Sequence, residues 1–408
     1  MVQCVTAAAE PGLAAAIVST PVVDVCCDLL ELLGGVSDGR PGQGRDHPVA
    51  AVLALAAAAV VAGMRGYTAI TGWVADVPAG VLADLYMRAG AAPARPPSKS
   101  TIWRVLTDAD PDAFDTAIGR WLMGGLAART DLQDTGEQDP GETALMQIRL
   151  DGKTVRGAKK ADGNQLHLPA ALAGPDAQTS VIAAQAQVPD ARTKEPAAAR
   201  AMLGQLDLSG QVITADALHT VKATAKLICD RGGEFVLPVK ENRRALVDAL
   251  DALPWCQARI AHTATDRGHG RITTRTTQVL PVPDNLPFPH VSQVFLIERH
   301  VTATDGTPIS AVAQLGVTSL ATQQASPADL ARYVQGQWAI EALHWIRDTL
   351  YREAHSTIRT RSGPRVMASL RNLAIGALRL SGRTGITEAT RWAGRYMTRP
   401  FTVLGLAY

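Results

Sequence analysis

The sequence predicts an α/β fold: a helical N-terminal region, then a core of strands mixed with helices, with a mainly β insertion set into that core. Three observations predict it. Between residues 21 and 130, apolar residues recur at helical spacing behind helix-entry signals. From residue 144, short apolar runs of strand length alternate with helical stretches. Residues 255–325 then alternate Thr, Val, Ile and Arg with the two-residue period of a strand.

Taken in order, residues 1–20 are Ala-rich and unpunctuated, a loose arm or short helix. Pro48 suits the first turn of an Ala-rich helix over 49–64, followed by a short helix over 68–74. Ser98 or Ser100 is the N-cap of a helix carrying Ile102, Trp103, Val105 and Leu106. Asp110-Pro111-Asp112 opens the next, with Phe114, Ile118, Trp121 and Leu122 at helical spacing. Residues 131–143 are acidic, contain Pro and Gly, and read as a linker. Strands follow over 144–150, ending at Asp151, and over 165–173 and 180–188. A helix over 196–206 leads to a strand over 211–215 that ends at Asp216. A helix over 220–231 and a strand over 234–239 come next. The β block has strands near 272–279, 294–301 and 310–317. Residues 327–351 and 364–380 are helical, the latter with Val366, Leu370, Leu373 and Ala377 on one stripe and Arg371 and Arg379 pointing elsewhere. The expected division is a helical domain over 1–130, the linker, a core over 144–254, the β insertion over 255–325, completion of the core over 326–385, and a tail over 386–408.

The composition is globular, 47% hydrophobic and 19% charged, which excludes a disordered or fibrous chain. The formal net charge of +2 conceals polarity. Residues 331–408 hold twelve Arg, no Lys and four acids, a net +8; residues 1–145 hold nine basic and seventeen acidic residues, a net −8. A basic C-terminal region suits a polyanionic partner. Five cysteines form no spaced framework and no C-x-x-C, which fits a reducing cytoplasm and argues against a structural zinc site. The N-terminus lacks the basic, apolar and cleavage regions of a secretory signal. The longest apolar run, 49–64, is shorter than the roughly 20 residues that span a bilayer, so no membrane association is expected.

Asp151 and Asp216 close two strands of the core. Glu341 lies on a helix with His344, Trp345 and Asp348 three, four and seven positions on, all sharing its face. Carboxylates at two strand ends and on a neighbouring helix are the oxygen donors that hard divalent cations take, and that metal-assisted phosphodiester cleavage requires. Gly152 allows a turn after Asp151, and Lys153 and Arg156 place positive charge beside it. Lys240 and Asn242, and Arg271 with Arg267 and Arg275, are further candidates for phosphate or base contacts.

Several segments, in order, resemble the H-repeat-associated family of insertion-sequence transposases, a branch of the DDE transposases. They are Asp38-Gly-Arg with Gly44–Pro48, Ile70–Trp73, Pro97–Thr101 with Arg104, LDGKTVRGAKK (150–160), DARTKE (190–195), VITADALHT (212–220), FVLPVKEN (235–242), HGR (269–271), QWAIEALHWIRD (337–348) and IRTRSGPRVMASLRNLAI (358–375). The resemblance runs from about Asp38 to about Ser381. It implies an RNase H-like catalytic core with Asp151, Asp216 and Glu341 as catalytic residues and ligands of two Mg²⁺ ions, Mn²⁺ being an alternative. It also implies a β-rich insertion before the glutamate, a helical domain that binds element ends, and a homodimer on paired ends. The expected partners are double-stranded DNA, both the terminal inverted repeats and the target. The expected place of action is the nucleoid in the cytoplasm. The expected DNA contacts are Lys153, Arg156, Lys240, Asn242, Arg271, His344, Trp345, Arg359, Arg365 and Arg371. Two positions depart from relatives: Gln337 stands where an Arg precedes the glutamate by four, and Glu353-Ala354 replaces a Glu-Asp pair, leaving Glu353 as second choice for the third ligand. The alternative functions are a decayed element acting as a non-catalytic DNA-binding protein, and a metal-dependent nuclease.

Overall fold

The computed structural model describes residues 28–42, 45–92, 95–133, 145–159, 163, 165–188 and 194–406. The arm at 1–20, Gly44, linker residues 134–143, Lys160 and residues 190–193 of the DARTKE motif lie outside the described residues.

Helices α1 (Leu29–Gly34), α2 (Val49–Val61), α3 (Tyr67–Ala75), α4 (Ala79–Arg88), α5 (Lys99–Asp108) and α6 (Pro111–Gln133) come first. Ser98 is the N-cap of α5, its side chain accepting from Thr101 N, and Asp110 Oδ1 accepts from Asp112 N and Ala113 N at the start of α6. Helix α2 is buried on every side because its Ala-rich surface lets neighbours approach closely. Among the described residues no helix is long and apolar enough to cross a membrane.

A single mixed sheet follows. Its strands are β1 (Met146–Lys159), β2 (Gln165–Gly174), β3 (Val181–Gln185), β4 (Gln211–Ala215), β5 (Glu234–Val239), β6 (His262–Gly268), β7 (Arg271–Leu280), β8 (Gln293–Ala303) and β9 (Pro308–Thr318). Their order is β3-β2-β1-β4-β5-β9-β8-β7-β6. Strands β4 and β5 run parallel to β1; the other pairings are antiparallel. Parallel neighbours need crossovers. Helix α7 (Glu195–Leu203) lies in the connection from β3 to β4, and α8 (Lys222–Asp230) in that from β4 to β5. Helix α9 (Arg244–Asp251) then leads into β6–β9, which extend the same sheet from the edge of β5.

The expected helix over 327–351 is two: α10 (Pro327–Gly336), with a Ser326–Asp329 capping box, and α11 (Trp338–Thr349). Helix α12 (Gly363–Leu380) is buried on nearly all faces, and Arg371 and Arg379 are inside with it. The residues read as a tail form α13 (Ile386–Gly394) and α14 (Arg399–Val403), which pack back on α2. The strand expected over 180–188 is shorter, β3 ending at Gln185.

Candidate active site

Strands β1 and β4 pair in parallel up to Leu150 and Ala215. Asp151 and Asp216 are the next residues, so they start side by side where the two strands part. The crevice outside the carboxyl ends of parallel strands is the usual ligand site of open α/β sheets. Asp151 does not end its strand. Strand β1 continues to Lys159, still paired to β2, with Asp151 opposite Ala170. Gly152 is therefore not a turn residue. Its missing side chain makes room: a Cβ there would lie 2.5 Å from His167 Nε2 and 2.6 Å from Glu195 Cδ.

Helix α11 lies against β1 and brings Glu341, His344 and Asp348 to this edge. His344 Nδ1 is 3.2 Å from Asp151 Oδ2. Burial lowers the pKa of His344, and Arg347 and Lys153 add to this against the pull of Asp151. The imidazole is thus neutral near pH 7 and donates its Nδ1–H to Asp151. Lys153 shares Asp151's face of β1 and donates to Asp348 Oδ2 at 2.6 Å. The pKa of Asp216 is raised by burial, with Asp151 and Glu195 adding repulsion. That of Glu341 is raised by burial and then by Asp151.

The donor set fits a divalent cation in its chemistry. Asp151, Asp216 and Glu341 supply hard oxygens. Asp151 Oδ1, Asp216 Oδ2 and the exposed Glu341 carboxylate have no hydrogen bond among the described residues, and a cation would relieve the repulsion that lifts two of these pKa values. The side chains are not gathered: among the described residues no three His, Cys, Asp or Glu groups converge closely enough for one ion.

Asp216 Oδ1 accepts from Leu218 N at 2.9 Å, capping the 3-10 turn Ala217–His219 ahead of α8. Beside it opens a cleft of about 980 Å³ walled by Lys240, Asn242, Leu253, Trp255, Leu296 and Leu315. Asn242 Nδ2 donates to Ala217 O at 2.9 Å, tying the cleft wall to the turn. Gln337, at the junction of α10 and α11, donates to Leu150 O at 2.8 Å and accepts from Thr214 Oγ1 at 2.6 Å. It pins β1 one residue before Asp151 and β4 two residues before Asp216.

The sequence reading missed Glu195. Its carboxylate is buried between His167 Nε2 at 2.6 Å and His219 Nε2 at 3.2 Å. Burial raises its pKa, but the two histidines hold it down to about 2. His167 comes from β2, His219 from the turn after Asp216, and the group presses on the backbone of Gly152, next to Asp151. The DARTKE motif was the only signal, and nothing in its spacing placed it beside the aspartates.

Lys240, Arg156, Arg271 and Arg359 are exposed, and Trp345 is 66% exposed. Arg271 lies in β7, five strands from β1, and is not brought to the aspartates. Lys153 and His344, expected as DNA contacts, are buried and engaged with Asp348 and Asp151, and two expected arginine contacts are corrected likewise. Arg365 is buried on Asp115, with Nε to Oδ2 at 2.8 Å, and Arg371 is buried on Glu353 at 2.8 Å. Both charges complete interior ion pairs, since a guanidinium in the core must be matched. Glu353 is wholly buried, and its oxygens are occupied by Arg347 and Arg371. It is therefore not offered to a ligand.

Residues 30–122 match the family described as DDE_Tnp_1-associated, and residues 147–376, more than half of the chain, match that described as Transposase DDE domain. A Xanthobacter autotrophicus protein named "Uncharacterized protein in dhlA 3'region" is 32% identical over 56% of this chain and 72% of its own length. The Escherichia coli "H repeat-associated putative transposase YhhI" is 24% identical over 86% of this chain and 90% of its own. A solved piggyBac transposase synaptic complex with hairpin DNA covers 87% of this chain and 72% of its own, at 10% identity and a TM-score of 0.38. The chain belongs to the Transposase DDE domain family, among the H-repeat-associated transposases.

Proposed function

We infer that this chain is the transposase of an insertion sequence, cleaving the ends of its element and joining the freed 3′ hydroxyl to target DNA. One observation carries the reading: Asp151 and Asp216 directly follow the last paired residues of parallel β1 and β4, side by side, with Glu341 in electrostatic reach on α11. The core is proposed to be RNase H-like. Three antiparallel strands followed by two parallel to the first, in the order β3-β2-β1-β4-β5, support that assignment. The helices up to Gln133 are proposed to bind element ends, and the enzyme is proposed to work as a homodimer on paired ends.

Asp151, Asp216 and Glu341 would hold two divalent ions, Mg²⁺ or Mn²⁺. When bound, such ions lower the pKa of a water and stabilise a leaving oxygen. The protein's own groups prepare the site. His344, neutral and buried, fixes one oxygen of Asp151. Gln337 fixes the strand ends. Lys153, buried and paired with Asp348, ties α11 to β1 beside Asp151. Lys240 and Asn242 meet the strand at the cleft beside Asp216, and Trp345 offers an open face on which a base stacks. Arg156 and Arg359 neutralise phosphates of the flanking duplex.

The test is cleavage and strand transfer on a duplex carrying the repeat that borders the gene. Asp216→Asn keeps the Leu218 cap but removes a charge, and it is expected to lower cutting by at least about 100-fold, a loss of some 2.7 kcal/mol in transition-state stabilisation. Undiminished cutting by this variant would remove Asp216 from the mechanism. Cutting without joined products would make the protein a nuclease.

A further inference from the structure

Three segments distant in sequence meet in one basic cleft. Asp38-Gly-Arg brings Arg40, α5 brings Thr101, Trp103, Arg104 and Asp108, and the loop before α12 brings Arg361. The cleft they line is about 360 Å³. None of these residues serves the site at Asp151 and Asp216.

We propose that this cleft grips the phosphate backbone of duplex DNA running from the cleavage site, so that helical region and core hold the same duplex. The proposal rests on the transposase reading and adds the place and register of the contact.

The charge is unbalanced. Three guanidinium groups meet two carboxylates, Asp38 paired with Arg40 and Asp108 with Arg361, which leaves Arg104 in excess. Arg40 is buried, its Nη2 held by Asp38 at 2.7 Å and by His47 O at 2.7 Å. Arg361 meets Asp108 at 2.5 Å, yet its side chain stays 65% exposed while Asp108 is 11% exposed. The carboxylate is therefore covered and the guanidinium is presented. Arg104 is exposed and has no ion-pair partner among the described residues. Half-buried Trp103 adds a flat apolar wall beside these charges. Planar donor forks beside such a wall suit phosphate oxygens and the sugars between them.

The backbone is set for this display. Arg361 has φ +45°, a left-handed conformation that strains a non-glycine residue. It is held there by α5: Ser362 N donates to Thr107 O at 3.2 Å, and Gly363 leaves no room for a Cβ beside Tyr67 Oη.

A basic track joins the cleft to the aspartates. Arg359 Nε donates to Gly157 O at 3.1 Å, and a small pocket connects Arg359 with Arg361. Arg156 is exposed next to Gly157 on β1. Gly157 stands six residues beyond Asp151 on that strand, about 20 Å at roughly 3.3 Å per residue. Phosphates along one strand of B-DNA advance about 3.4 Å each, so the track passes Gly157 about six nucleotides from the cleaved bond and meets the cleft farther along.

The experiment measures binding of the full-length protein to a fluorescent duplex carrying the bordering repeat, over a range of salt concentrations. Arg104→Ala and Arg361→Ala are each expected to flatten the slope of log K against log salt by about 0.9, one phosphate contact apiece. The loss should be equal on an unrelated duplex. A neutral methylphosphonate stepped outward from about six nucleotides beyond the cut should weaken binding by the wild type at the cleft position and have no further effect there on Arg104→Ala. Arg104→Ala breaks no ion pair, so its melting temperature should be unchanged; it decides the matter if Arg361→Ala unfolds early. Wild-type salt slopes in both variants, with cutting intact, would overturn the cleft alone. A wild-type protein that neither binds nor cuts the duplex would overturn the transposase reading and the cleft with it. Asp216→Asn, binding with an unaltered slope but not cutting, separates the two.

Discussion

Gly152 tolerates substitution poorly, because the hydrogen-bonded Glu195 and His167 lie where any side chain would go. Gly152→Ala must push the pair away from β1 and strain the backbone next to Asp151. Overpacking of this kind costs about 1–3 kcal/mol, and a lowered midpoint in urea unfolding checks it. Loss of cutting should exceed the loss of stability, since the displaced group also abuts His219 beside Asp216. A variant as stable and active as the wild type would show that Glu195 does not set this geometry. A second residue ties stability to pH. Burial alone would raise the pKa of Glu353, but Arg347 and Arg371 hold it down to about 2. The folded-state pKa lies below the unfolded value of about 4.3, so the stabilisation is complete above that value and is lost as the pH falls toward 2. Urea titrations from pH 6 downward should show stability declining through that window. Glu353→Gln should flatten the decline and cost about 3–5 kcal/mol at neutral pH, because it strands two buried guanidinium groups.

At the scale of elements, the junction of α10 and α11 organises the site. Gln337 stands at that junction with helical dihedrals (φ −54°, ψ −32°), and its side chain reaches both β1 and β4. Gln337→Ala removes the bond to Leu150 O and leaves the Thr214 hydroxyl without its acceptor, which costs about 1–3 kcal/mol and loosens both aspartates. Crystallographic or NMR comparison of the variant should find the β1–β4 ladder frayed at Leu150 and Ala215; an unchanged ladder would deny Gln337 that role. Local pattern made much of this fold legible. Strands β4 and β5 were readable as apolar runs, and α5 and α6 by their caps, because those signals are local in the chain. What escaped was set by partners far along it. Strand β1 runs past Asp151 because β2 keeps pairing with it, and Gly152 looks like a turn until Glu195 is known to lie against it. Arg365 and Arg371 read as surface charges because Asp115 and Glu353, which bury them, carry no local mark. The sequence marks Asp151 and Asp216 by the apolar runs before them, although only Asp216 follows a strand end, whereas the ring of His167, Glu195 and His219 needed the assembled sheet.

For the whole molecule, the helical region and the C-terminal helices share one core. Helix α2 has no solvent face; α1, α3 and α5 cover part of it, and α12, α13 and α14 cover the rest. The buried cluster runs without a break from Leu29 through the sheet to Leu406. Arg88 Nη1 donates to Leu406 O at 2.6 Å, and the rings of Trp73 and Phe401 stack at 5.8 Å. The N-terminal helices therefore lack a closed core without residues 363–406. Loss of a buried aromatic from such a core costs about 3–5 kcal/mol, so Phe401→Ala should lower stability by that amount although it lies in a segment that reads as a tail. The interlock also predicts cooperativity. Heating the intact protein should give one calorimetric transition, with equal calorimetric and van't Hoff enthalpies, and a fragment of residues 28–133 should show no cooperative melting. Two separated transitions, or a fragment that melts sharply alone, would make the helical region an independent domain. In that case the basic cleft between α5 and Arg361 would form only when the two units dock.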